Sequence, residues 1–153
     1  MPEIVDASAS HVMAWAPAAM LYVWRAEPTM AGVEAAAAAM DAARASTPGG
    51  DGVLLGLVEE GTPPPASDVR KALADVMSGG EGFYRASALV FEGTGFQASM
   101  VRMVATGLAR LARQPFPHQV FADVPAATVW LQSRCDAIRA RRLQTLIAEA
   151  RAA

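Results

Sequence analysis

Two periodicities alternate along this chain and lay out its elements. "HVMAW" (11–15) and "MLYVWRAE" (20–27) cluster β-branched and aromatic residues on either side of "APAA", which predicts two short strands joined by a turn and leaves open whether they pair as a hairpin. "PTMAGVEAAAAAMDAARAS" then spaces Met30, Val33, Ala37 and Met40 for one helix face, with Thr29 as N-cap and "TPGGDG" as its stop. "GVLLGLVEEG" is almost continuously apolar, the pattern of a strand covered on both faces. After the prolines of "TPPPAS", Ser67 is placed to cap a helix that turns Val69, Leu73, Val76 and Met77 inward. "YRASALVFEG" predicts the next strand, and Val101, Val104, Leu108 and Leu111 a helix after it. "HQVFAD" predicts a further core strand and "PAATVWLQSRC" a short helix with Pro125 in its first turn. "DAIRARRLQTLIAEARAA" either continues that helix or starts another, carrying an apolar stripe of Ile138, Leu143, Leu146 and Ile147.

The resulting order is β-β-α-β-α-β-α-β-α with a C-terminal helical extension. Such an alternation implies an α/β domain with a mostly parallel sheet and flanking helices. The Pro and Gly clusters fall only where an element must turn, so the whole of 1–153 reads as a single domain, with a core over about 11–132 and the extension over about 133–153. At 153 residues the chain can bury a full core without metal or disulfide staples.

Composition narrows the partners. A hydrophobic fraction of 53% leans toward an apolar surface that another molecule covers. The formal net charge of −2 gives no positive field to gather nucleic acid. The single Cys135 has no disulfide partner, the start "MPEIVDASAS" is acidic where a leader is basic, and the apolar run around Pro17 is too short to span a membrane. These features predict a cytoplasmic protein without a membrane span.

Candidate chemistry is sparse. Glu59 and Glu60 end one predicted parallel strand and Glu92 the next, so they share an edge with the loop Gly93, Thr94, Gly95, Phe96 and Gln97. Ligands of open α/β sheets bind beyond the strand carboxyl ends, which makes this rim the candidate ligand or partner site. Gly93, Gly95 and Ala98 satisfy a relaxed dinucleotide pattern, but too little chain follows for the rest of such a sheet. The simpler reading has the glycines supplying positive φ in a tight turn. His11 and His118 lack a ligand or nucleophile at a defined spacing and read as structural, as does Cys135. No metal site, cofactor or catalytic set is predicted. Arg139 and Arg142 flank the C-terminal stripe, which therefore grips an acidic partner, packs on its own domain or meets a second copy.

From "LYVWRAE" to "VWLQ" the chain resembles the SpoIIAA-like (STAS and SEC14-like) proteins, through the phrase "VFADVPAATVWL" with Val120, Phe121, Asp123, Ala127, Trp130 and Leu131 in the corresponding places. The resemblance implies a small α/β domain that acts as a regulatory or scaffolding module. In the antagonist branch a serine at the start of a helix is phosphorylated, and Ser99 is its nearest counterpart by position, although "FQASM" stands where that branch has "DSSG". The leading expectation is a non-enzymatic module acting through protein–protein contact, as a homo-oligomer. A small apolar ligand or lipid, held between "VMAWAPAAMLYVW" and "MVRMVATGL", is the alternative that the SEC14-like side implies. Phosphate or nucleotide binding at Gly93–Ser99, or a carboxylate enzyme using Glu59, Glu60 or Glu92, comes third.

Overall fold

The computed structural model describes residues 1–47, 49–93, 102 and 115–153. The predicted helix over 101–111, apart from Arg102, and the positions Thr94, Gly95, Phe96, Gln97 and Ser99 lie outside them.

Six strands form one sheet in chain order: β1 (Glu3–Ala7), β2 (His11–Ala16), β3 (Ala19–Trp24), β4 (Gly52–Val58), β5 (Tyr84–Phe91) and β6 (His118–Phe121). β1, β2 and β3 pair antiparallel, whereas β3 through β6 run parallel. β2 and β3 pair as a hairpin, which the sequence leaves open. Its turn puts Ala18 at φ 67, with the Ala18 N–H donating to the Thr47 hydroxyl at 2.9 Å.

Period-two alternation sends the sheet's side chains to two cores. Val12, Ala14, Leu21, Val23, Val53, Leu55, Leu57, Ala88 and Val90 face one side, and Met13, Met20, Trp24 and Leu54 the other. α1 (Met30–Ala45) and α2 (Ser67–Ser78) cover the second side, and α1 lies over β1–β3. α3 (Val124–Arg134) and α4 (Ala140–Ala152) cover the first, with α3 over β4–β6 and α4 returning over β2 and β3. The described residues thus make a three-layer α/β/α sandwich. β4 is buried on both faces, as its unbroken apolar run requires.

Several details differ from the sequence reading. β1 is absent from the sequence reading; it is an edge strand, exposed on nearly every residue, so no buried face imprints an alternation on "EIVDA". β6 is the opposite edge and is only half-buried, not a central core strand. Thr29 caps α1 through Gly32 N–H at 3.1 Å, but Met30 is exposed, and Gly32, Ala36 and Ala39 carry the inward face with Val33 and Met40. Ser67 is the first helical residue of α2, whose N-cap is Ala66 without a side-chain bond.

The C-terminal segment is a restarted helix. Cys135 is extended, and the Gln132 side chain accepts from Ala140 N–H at 2.7 Å where α4 begins. Ile138, Leu143, Leu146 and Ile147 are buried in the core beneath α4, while Arg139 and Arg142 are exposed. The domain's own sheet already covers Ile138, Leu143 and Leu146, so the stripe as a whole is not an exposed interaction surface. Residues 133–153 are accordingly a layer of the domain and not an appendage.

His118, at the start of β6, packs half-buried with Nδ1 2.9 Å from the Ser87 hydroxyl. Burial lowers its pKa below the ordinary 6.5, so the fold prefers the neutral ring. Below about pH 6.5 the unfolded chain binds more protons than the folded one, and the stability present above that pH is lost as pH falls through the lowered pKa. We expect denaturation midpoints measured between about pH 7.5 and 5 to drop on the acid side, and His118→Gln to flatten that slope.

Candidate functional site

β4 and β5 are in register, Val58 opposite Phe91, so the next residues, Glu59 and Glu92, emerge side by side at the carboxyl edge of the sheet. Arg151, in the last turn of α4, reaches back over this edge. Its Nε donates to Glu59 Oε2 at 2.7 Å, and its two terminal nitrogens donate to the Glu92 oxygens at 2.8 and 2.6 Å. A planar guanidinium fork suits this double grip. The hydrogen bond to Glu92 raises the Arg151 pKa, against a smaller lowering by desolvation. Both carboxylates thus share one guanidinium, unlike the two distinct environments that set an acid and a base apart.

Further cations border the cluster. Arg25, directly after β3, donates to the Arg151 carbonyl and, at 3.2 Å, to the Ser8 carbonyl. Arg102 donates to the carbonyls of Phe91 and Gly93, each at 3.2 Å. Gly93 has φ 133, a conformation that side-chain-bearing residues rarely adopt, in keeping with the turn read from the sequence. Glu60 is exposed and takes no part in the ion pairs.

Beside Arg151 opens a cleft of about 440 Å³ between the strand ends, the start of α3 and the last turns of α4. Leu57, Val124, Pro125, Ile147 and Ala148 supply its apolar lining; Glu92, Asp123, Gln144 and Arg151 supply polar groups. Asp123 is engaged as the N-cap of α3, accepting from Ala126 N–H at 2.8 Å. Gln144 donates to the buried Thr128 hydroxyl at 2.9 Å. Glu59, Glu92 and Gly93 thus meet as the sequence implied, but nothing in the sequence reading places their organiser, Arg151, at this rim. Distance along the chain hid it: only α4 folding back over β3 brings it to the rim.

The same edge carries a second group. β2 runs antiparallel to β3, His11 opposite Trp24, so the β1–β2 turn sits where the parallel strands end. Buried His11 holds Asp6 Oδ2 at 2.7 Å through Nε2 and the Ser10 hydroxyl at 2.9 Å through Nδ1, with its ring edge toward Trp24. From the sequence His11 reads as a surface or hydrogen-bonded structural residue without a ligand or nucleophile at a defined spacing. Its partners were in plain order in "DASASH", but only a turn after an unrecognised strand folds them together.

The strand half of the pocket expected for an apolar ligand, along β2 and β3, is packed: Val12, Met13, Ala14, Leu21 and Val23 are fully buried. Apart from Arg102, its other wall lies outside the described residues. Among the described residues, no helix is long and apolar enough to cross a membrane, and no three His, Cys, Asp or Glu side chains group as metal ligands.

No family model and no curated protein matches the chain. A solved structure does. An uncharacterized protein of the DUF3478 family from Shewanella loihica PV-4, described as having a SpoIIAA-like fold, superposes with a TM-score of 0.51 over 86% of this chain and 92% of that one, at 13% identity. The chain therefore has a single-sheet α/β architecture of the SpoIIAA-like class. At that identity the likeness carries the fold alone.

Proposed function

We propose that this chain acts as a regulatory or scaffolding module of the bacterial cytoplasm, which binds another protein at the carboxyl rim of its sheet and does no catalysis at that rim. The observation that carries the reading is the cleft beside Arg151: an apolar floor bordered by the ion pairs of Arg151 with Glu59 and Glu92. Interfaces favour an apolar centre with a polar rim and arginine anchors. A carboxylate acid–base pair, in contrast, needs two acids in different environments, whereas Glu59 and Glu92 share the one Arg151 guanidinium. Single Cys135, buried and without a disulfide partner in the chain, is in keeping with a reducing compartment. Because the α4 stripe is covered by the sheet, self-association has to use other apolar positions, such as Ile4 and Val5 on β1 or Val129 on α3, all exposed.

The volume and apolar lining of the cleft favour one second reading, a small apolar ligand. Ala148→Trp fills the cleft from an exposed position and separates the two. We expect a protein retained by the wild-type chain in pull-downs from its host to be lost by Ala148→Trp, with unchanged circular dichroism. A protein retained equally by both overturns the assignment of the cleft. Native mass spectrometry of the wild-type chain reads subunit number and any bound small molecule; a ligand mass that Ala148→Trp loses supports the carrier reading.

A further inference from the structure

We propose that the β1–β2 turn is a second, chemically reactive site, in which Ser10 is a nucleophile toward small activated esters, His11 its base and Asp6 the residue that orients His11. The proposal stands apart from the cleft and rests on three features of the turn. The first is connectivity. With the Nε2 proton of His11 donated to the Asp6 carboxylate, Nδ1 is left with a lone pair facing the Ser10 hydroxyl at 2.9 Å. An imidazole held by a carboxylate on one nitrogen and a hydroxyl on the other is the arrangement that activates a serine.

The second is a place for the oxygen of a reacting carbonyl. The backbone N–H groups of Ser10 and His11 converge on the Ser8 hydroxyl oxygen at 3.2 and 3.3 Å, and that oxygen lies 3.0 Å from Ser10 Oγ. Ser8 is exposed, so its side chain can swing out and leave two N–H donors aimed at one oxygen position beside the nucleophile. The third is access with order. His11 is buried against Trp24 and Asp6 is half-exposed, while Ser10 keeps partial contact with solvent. Arg25 ties the turn to the rim by binding the Ser8 carbonyl and the Arg151 carbonyl.

In the reaction Ser10 Oγ forms a bond to the acyl carbon as its proton passes to His11 Nδ1. The bond to the leaving alkoxide breaks, and His11 returns that proton to it, leaving an acyl-Ser10 and a free alcohol. Water, deprotonated by His11, then releases the acid and restores the hydroxyl. The net change is ester hydrolysis, with no other reactant.

The test uses the full chain and a fluorophosphonate probe, with peptide mass spectrometry to locate the adduct. We expect one phosphonyl group on Ser10, no label in Ser10→Ala, and labelling slowed roughly 100-fold in His11→Gln and Asp6→Asn. His11 is buried and its replacement can unfold the edge; Asp6→Asn, at a half-exposed position, preserves the fold. A downfield ring N–H proton resonance of His11 in the wild type, lost in Asp6→Asn, reports the orienting bond independently of rate. No adduct at Ser10, an adduct on Ser8 alone, or equal labelling of folded Asp6→Asn and wild type overturns the proposal.

Discussion

Gly56→Val is expected to destabilise the domain by about 3 kcal/mol, at the upper end of what overpacking a core costs. A Cβ built on Gly56 stands 1.9 Å from Tyr22 Cζ and 2.2 Å from its hydroxyl oxygen. Tyr22 is the direct partner of Gly56 across β3 and β4, so its ring lies flat over the strand in the space a side chain would take. A ring at the end of a flexible chain can move, but here it packs against the core that holds Met13, Met20 and Trp24. Burial raises the Tyr22 pKa well above its ordinary value, so loss of a phenolic proton offers no escape. Urea denaturation measures the loss, and Tyr22→Ala in the same chain should recover part of it. Additive losses for the pair would mean that the ring and the glycine do not share the space as described.

How much was legible follows from what each residue reports locally. β4 announced itself because both its faces are buried, which needs seven consecutive apolar or glycine positions, Gly52–Val58. α1 was legible through Thr29 and the stop after Ala45, yet its inward face was only partly placed: Val33 and Met40 are buried as expected, but Met30 is exposed and Gly32, Ala36 and Ala39 are buried instead. With small residues on every side, the alanines give little contrast, and the choice of Met30 over Gly32 depended on size where the packing depends on closeness to Trp24. Glu59 and Glu92 could be placed together because parallel register fixes strand ends. Arg151 and the turn at 6–11 could not, since the first requires α4 to cross back over the sheet and the second requires an edge strand that buries almost nothing. Edge strands and long-range helix returns leave little local trace. Chemistry in this molecule concentrates where those two features meet.

Charges introduced on α4 test the other correction. Leu143→Asp with Ile147→Asp is expected to unfold the domain outright. Leu143 is fully buried and Ile147 nearly so, under the same core as Leu21, Val23 and Leu55. An unpaired carboxylate there loses its hydration among apolar side chains, a cost of several kcal/mol per group on top of the lost apolar burial. Milder Leu146→Ala should still cost about 2–5 kcal/mol, the range for a buried leucine truncated to alanine. Against a total stability on the order of 10 kcal/mol for a domain of this kind, either change shifts the thermal midpoint far outside error. Arg139→Glu with Arg142→Glu is the companion measurement. Both side chains are exposed, and reversal should leave the midpoint within about 0.5 kcal/mol of wild type. The contrast separates two roles for one helix. If the double aspartate variant instead remained folded and merely changed its elution volume on a sizing column, the stripe would be a surface, and α4 would not be the layer that brings Arg151 to Glu59 and Glu92.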